Sequence, residues 1–213
     1  MKKKSKVTII VVCVCATVFG AWILFSGVLK PNYPDTLTPG HLPTIYLPIN
    51  NFSRVDMIQG YGQITPDYFH PGIDIQVNNT TPIVAPCNAY VSLIQPNYYN
   101  EIANVYQTNI QLSLNDQWTI LISFESSAAN ATFGAYQVGN ISLTLGQYVT
   151  TNQSIGNLLQ QGPNARIHFG IKSYEIWECP YRFFCCSARL TFEEQFARVG
   201  VPLACGEFCY CCD

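Results

Sequence analysis

Hydrophobic and polar residues change their pattern several times along the chain, and each pattern predicts a different kind of segment. A basic block that ends at Lys6 is followed by 23 residues without a charge, Val7 to Leu29. An uncharged run of this length can cross about 30 Å of hydrocarbon as a helix. Residues 1–29 are therefore predicted to form a cytoplasmic basic tip and a single-pass membrane anchor that leaves the body outside the cytoplasm. A cleaved signal peptide is the alternative, although its apolar stretch would be shorter.

The next segment, residues 30–50, is rich in proline. Its five prolines exclude a helix and favour an extended, polyproline-like chain. This segment is predicted to be a linker between the anchor and the rest of the protein.

Residues 51–176 show short runs rich in Val, Ile, Thr, Tyr and Phe, separated by Gly, Asn and Pro. This pattern is typical of strands, and few windows have helical periodicity. The expected fold is mainly β. The predicted strands are Gly72–Val77, Pro82–Ile94, Ile102–Leu114, Trp118–Glu125, Gln147–Val149 and Arg166–Ser173.

Residues 177–213 are a cysteine-rich extension with two groups of cysteines. Between the groups, Thr191 and Glu194 have the spacing of a helix capping box, and Phe192 and Phe196 recur at a helical interval. One short helix is predicted there. Alone it would be marginally stable, so disulfides or a metal ion are expected to attach it to the domain.

The composition agrees with an exported body. Charged residues make up 11% of the chain, against roughly 25% in an ordinary soluble domain. The only basic cluster is at the amino terminus, which excludes the clustered footprint of a nucleic-acid-binding protein. Glycans could supply the missing surface polarity, or the sequons are idle. The six Asn-x-Ser/Thr sequons are at Asn51, Asn78, Asn79, Asn130, Asn140 and Asn152.

The cysteines beyond the predicted anchor are even in number, which favours disulfides in an oxidising compartment. The dense thiols of Cys209, Cys211 and Cys212 leave a zinc site as the alternative, although their spacing is not that of a structural finger. Cys87 lies in a predicted core strand. It is expected to be either a buried thiol or a partner of the extension.

Two of the three histidines have neighbours at informative spacing. His70 and Asp74 are four residues apart, and Arg166 and His168 are two apart, so each pair is expected to share one face of an extended chain. A His/Asp/His set with one open position is a donor set for catalytic Zn²⁺. The simpler alternative for His168 is a packed strand residue beside Phe169.

The segments around these residues resemble the lysostaphin/LytM-type zinc endopeptidases. Residues 70–91, HPGIDIQVNNTTPIVAPCNAYV, are similar to the H-x-G-x-D opening of that family and the strand that follows it. Residues 143–172, LTLGQYVTTNQSIGNLLQQGPNARIHFGIK, are similar to its closing stretch. The resemblance implies a duplicated hybrid motif, which is a small antiparallel β-sandwich or barrel, with zinc ligated by His70, Asp74 and His168.

The sequence departs from that family at both auxiliary histidines. Arg166 replaces the first, and Phe124 or Glu125 replaces the second. A guanidinium neither accepts a proton nor binds zinc, although it can donate hydrogen bonds to an oxyanion. Glu125 is the one candidate for a substitute base, and its alternative is an ordinary solvated carboxylate at a strand end.

Three functions follow from these observations. The first is an exported zinc endopeptidase of cell-envelope peptides that uses Glu125 or Arg166 as a substitute helper. The second is a catalytically degenerate module that keeps the fold and binds an envelope peptide or a protein partner through Arg166. The third is a glycosylated surface protein without catalysis. The missing histidines favour the second function, and the complete ligand set keeps the first open.

Overall fold

The computed structural model describes residues 33–65 and 67–201. This part of the chain is mainly β, as predicted, with two α-helices and two 3₁₀ turns. The strands are β1 (Val55–Gln59), β2 (Gly62–Thr65), β3 (Tyr68–His70), β4 (Ile73–Val77), β5 (Thr81–Val84), β6 (Ala89–Asn100), β7 (Val105–Ser113), β8 (Trp118–Ala128), β9 (Tyr148–Val149), β10 (Ser154–Leu158), β11 (Arg166–Ser173), β12 (Ile176–Glu178) and β13 (Gly200–Val201). The helices are α1 (Ala131–Val138) and α2 (Cys186–Val199), and the 3₁₀ turns are Phe52–Arg54 and Pro180–Phe183.

One sheet of nine strands dominates the fold. Its order is β13-β1-β4-β11-β8-β7-β6-β9, and β12 also pairs with β11. The pairs are antiparallel except for β1 with β13. Two short ribbons, β5–β10 and β2–β3, complete the described strands. The large sheet is an open path, so it is not closed into the barrel that was one of the expectations.

The two faces of the sheet differ in polarity because side chains alternate along each strand. On β11, Ile167 and Phe169 are fully buried in the core, whereas Arg166 and His168 are only partly buried and lie on the opposite face. The same alternation places Phe124 of β8 in the core. His168 therefore lies on the face opposite Phe169, together with Arg166.

The proline-rich segment is extended but is not a free linker along its described length. Ile45, Leu47 and Ile49 are buried in the main core. The backbone N–H of Ile45 donates to the carbonyl of Phe183, and the carbonyl of Ile45 accepts from the N–H of Cys185. Alternating apolar residues thus make residues 45–49 part of the domain, which corrects the expectation of a linker over 30–50.

The helix of the extension begins earlier than predicted. It starts at Cys186, so Thr191 is inside the helix rather than at its cap, and Cys185 precedes it without a side-chain capping bond. The capping-box prediction is therefore wrong, while the end of the helix before Gly200 agrees with the glycine there. Phe192 is fully buried in the core. This packing stabilises the helix more than a local capping motif would, since most helical stability in proteins comes from tertiary contacts.

Sequence reasoning missed helix α1. Asn130 caps it, because its side-chain oxygen accepts from the N–H of Phe133 at 3.0 Å. In the sequence Asn130 stands out as a sequon, and asparagine is also a strong capping residue.

The segment predicted as one strand, Pro82–Ile94, is two strands. β5 ends at Val84 and β6 begins at Ala89. Pro86 lies between them, and a proline cannot donate to a sheet ladder. The predicted strand Arg166–Ser173 is confirmed over its full length.

The predictions about the cysteines and about the membrane anchor fall partly outside the described residues. Cys179 is disulfide-bonded, whereas Cys87, Cys185 and Cys186 are free thiols. Pairing of Cys87 with the extension is therefore wrong, and this residue is a buried thiol. The other cysteines and the predicted anchor lie outside the described residues. Within the described residues, no helix has the length and apolar character needed to span a membrane.

Candidate metal centre

Three neighbouring strands bring the predicted ligands together. His70 ends β3, Asp74 lies in β4, and His168 lies directly opposite Asp74 in β11. The first two residues are on successive strands joined at Pro71 and Gly72, not on one extended strand as the spacing alone predicted. Long-range pairing of β4 with β11 therefore creates the site.

The three side chains meet at distances that suit a single metal ion. His70 Nε2 lies 3.1 Å from Asp74 Oδ1 and 3.2 Å from His168 Nδ1. His168 Nδ1 lies 2.8 Å from the same carboxylate oxygen. Ligands on a tetrahedral Zn²⁺ with bonds of about 2.0–2.1 Å are roughly 3.3 Å apart. The two imidazole nitrogens and one carboxylate oxygen thus fit a zinc ion with little rearrangement.

Both imidazole rings are held in place by main-chain groups. His70 Nδ1 is 2.8 Å from the carbonyl oxygen of Gly60, which makes Nδ1 the protonated nitrogen and leaves the Nε2 lone pair for a metal. The ring of His168 packs over Gly72, where a Cβ would be only 2.6 Å from its Cε1 atom. Glycine is therefore required between the first two ligands.

The hydrogen bonds within the triple shift the ionisation of its members. Burial disfavours the charged form of Asp74, but hydrogen bonds from His168 and His70 outweigh burial and hold its pKa well below the usual range. Burial acts to lower the pKa of His70, yet the hydrogen bond with Asp74 raises it overall. A proton and a metal ion would therefore compete for the Nε2 lone pair of His70.

Arg166 lies between two carboxylates at the edge of the triple. Its Nε is 3.0 Å from Asp74 Oδ2, and its Nη2 is 2.8 Å from Glu125 Oε2. We call these three residues the arginine clamp. Because the guanidinium occupies Oδ2 of Asp74, only Oδ1 faces the two histidines. Of the two candidate positions on β8, Phe124 is fully buried in the core, so Glu125 is the one at the site.

Glu125 is not the solvated strand-end carboxylate of the simpler alternative. Its side chain is only 10% exposed. Burial raises the pKa of Glu125, and the charge of Arg166 opposes this rise only in part. Within the described residues, Arg166 Nε and Glu125 Oε2 have no hydrogen-bond partner, so charge attraction holds the clamp together.

The triple and the clamp line one cleft of about 290 Å³. Its other walls include residues that sequence reasoning did not single out: Tyr68, Asn100, Gln107, Asn109, Ser123 and Trp177. Several of these residues are visible in the sequence as polar positions that alternate with Ile and Leu on β7 and β8. The alternation predicted strands, but it could not show that these polar side chains share a cleft with the histidines.

Comparison with known proteins gives a likeness of fold only. No family model and no curated protein matches the sequence. A chain of the SpoIIQ–SpoIIIAH pore-forming complex is 14% identical with a TM-score of 0.48, over 72% of this chain and 98% of that chain. Csd3 from Helicobacter pylori is 17% identical with a TM-score of 0.47, over 73% of this chain and 41% of that chain. Lysostaphin from Staphylococcus simulans is 21% identical with a TM-score of 0.42, over 58% of this chain and 46% of that chain. We therefore base the function on the site residues.

Proposed function

We propose that this protein is an exported, membrane-anchored, zinc-binding domain with a peptidase-like site that binds cell-envelope peptides and hydrolyses them poorly or not at all. The observation that carries the proposal is the arginine clamp. Arg166 stands where the resemblance expects a helper histidine, and it contacts both Asp74 and Glu125. The fit of His70, Asp74 and His168 to one ion supports metal binding.

The clamp opposes hydrolysis for a simple chemical reason. Zinc held by this triple would supply Lewis acidity, and peptide hydrolysis also needs a neighbouring group that accepts and returns a proton. Arg166 cannot accept one, because its guanidinium stays protonated. Glu125 could, but its carboxylate is engaged by Arg166 at 2.8 Å. The guanidinium can instead bind a carboxylate or a carbonyl oxygen of a peptide.

A second candidate is an active zinc endopeptidase in which Glu125 is the base. The favouring observation is that Glu125 lines the same cleft as the triple and that burial raises its pKa towards the range that suits a general base. Release of Glu125 from Arg166 on substrate binding would be required.

The proposal also includes export of the body and its attachment to a membrane. The uncharged run from Val7 to Leu29 behind four lysines supports a single-pass anchor with a cytoplasmic amino terminus. Glycosylation of the body is supported by the exposure of five sequon asparagines, while Asn140 is partly buried. The exposed ones are Asn51, Asn78, Asn79, Asn130 and Asn152.

The test combines metal analysis with a hydrolysis assay on the purified full-length chain. We expect one zinc per chain, loss of zinc in His70→Ala, and no zinc-dependent cleavage of cross-linked envelope peptides. Zinc-dependent cleavage that is abolished both by His70→Ala and by Glu125→Gln would establish the second candidate instead. A folded chain that binds no zinc would contradict both.

A further inference from the structure

Four hydrogen-bonded carboxamide side chains, which the metal centre does not use, lie in or beside the cleft. Gln95 and Asn100 belong to β6, and Gln107 and Asn109 belong to β7; we call them the amide strip. All but Gln95 line the cleft. Polar groups of this kind cost free energy when they are removed from water, so a buried set needs partners.

The strip is bonded head to tail. Asn100 Nδ2 donates to Gln107 Oε1 at 2.9 Å, and Gln107 Nε2 donates to Asn109 Oδ1 at 2.8 Å. Asn109 Nδ2 then donates to Gln95 Oε1 at 2.8 Å. Each of the two central amides makes one donated and one accepted bond within the strip. A carboxamide has two N–H groups and two acceptor lone pairs. Each central amide therefore keeps one N–H group and one lone pair for a ligand, in a fixed orientation.

The strip continues the metal centre across the sheet. Asp74, His168, Ser123, Asn109 and Gln95 lie directly opposite one another on five successive strands, so their side chains share one face. Neighbouring strands are about 4.8 Å apart, which places Asn109 roughly 10 Å from His168. About three residues of an extended peptide, at ~3.4 Å each, would span that distance.

The chemistry of the strip selects an uncharged ligand with both donors and acceptors. Gln107 is only 6% exposed and Asn109 only 9%, and neither carries a charge that would compensate a buried ion. Both lie on the same face of β7 at positions two residues apart, a separation of about 6.8 Å. This is also the repeat of the main-chain amides on one side of an extended peptide.

We propose that the amide strip is a subsite that binds the main chain of an extended, uncharged peptide segment beside the metal centre. The proposal rests on the proposed function in that the ligand is a peptide, but it requires neither zinc nor hydrolysis. Because the strip contacts main-chain groups, recognition depends on the N–H groups of the peptide and tolerates changes among its small side chains.

The test compares two probes on the full-length wild-type chain: acetyl-tetraalanine amide and the same peptide with its backbone nitrogens methylated. Binding is followed by the side-chain NH₂ resonances of Gln107 and Asn109 and by calorimetry. We expect the first probe to shift these resonances and the methylated probe to bind at least about tenfold more weakly, since more than one hydrogen bond is lost.

Variants locate the effect on the strip. Asn109→Ala and Gln107→Ala are each expected to weaken binding of the first probe by about 2- to 10-fold. Gln111→Ala is the matched control, because Gln111 lies on the same face of β7 but outside the cleft lining. We expect its affinity for the probe to equal that of the wild type.

Several results would overturn the proposal: no binding of the unmethylated probe at millimolar concentration, equal binding of both probes, or equal loss in Gln111→Ala and Asn109→Ala. The probe comparison uses only the wild type, so it stands even where a variant does not fold. Zinc content is measured separately. A chain without zinc that still distinguishes the probes would contradict the metal function and support the strip.

Discussion

Replacement of Arg166 by methionine is the most direct test of the arginine clamp, because methionine keeps much of the side-chain volume and removes the charge. Arg166 lies 3.0 Å from Asp74 and 2.8 Å from Glu125. At an effective dielectric constant of about 20, each contact corresponds to ~5–6 kcal/mol of gross attraction. Desolvation cancels much of this, and removal of one partner from a buried pair costs about 3–5 kcal/mol. Since Arg166 is 27% exposed, we expect a loss near 3 kcal/mol.

The assay is urea unfolding of the full-length chain at neutral pH with a chelator present, so that only the protein's own charges contribute. Glu125→Gln added to Arg166→Met should recover part of the lost stability, because it removes one of the two uncompensated carboxylates. Arg182→Met is the matched control. Arg182 is 68% exposed and 3.3 Å from Glu178, so its loss should cost less than about 1 kcal/mol.

Two results would refute this reasoning. The first is an Arg166→Met variant that is no less stable than Arg182→Met, which would mean that water screens the clamp as it screens a surface pair. The second is a double variant with Glu125→Gln that is no more stable than Arg166→Met alone, which would mean that the two carboxylates do not depend on the guanidinium.

Four further predictions concern the metal centre and the core. Gly72→Ala should weaken zinc binding by about 10-fold or more in a chelator competition, because its Cβ would displace the ring of His168, while Gly139→Ala, with its nearest contact at 3.5 Å, should not. Zinc affinity, measured by zinc titration, should fall as the pH drops through the pKa of His70, which lies above 6.5, and a flat profile between pH 6 and 8 would count against the pKa direction. Asp74 should stabilise the metal-free fold above pH 3.8 and lose that effect at lower pH, as measured by acid unfolding. Burial raises the pKa of Cys87 to about 12, so a thiol reagent should modify exposed Cys186 at once and Cys87 only after unfolding.

Local patterns were sufficient for several conclusions. Alternation of apolar and polar residues predicted a mainly β domain and the full extent of the strand Arg166–Ser173. The same alternation placed Arg166 and His168 on one face, because a strand has a period of two residues in any tertiary setting. The donor set of His70, Asp74 and His168 could likewise be proposed from residue type and motif, and the structure brings its three donor atoms together.

Only the tertiary structure decided which residues meet, since register between distant strands is not a local property. Pairing of β11 with β8 chose Glu125 over Phe124 as the neighbour of Arg166 and placed Phe124 in the core. Pairing of β6 with β7 assembled the amide strip. The burial of residues 45–49 also depends on long-range packing, because an extended proline-rich chain has the same local conformation whether it crosses solvent or lies against a core.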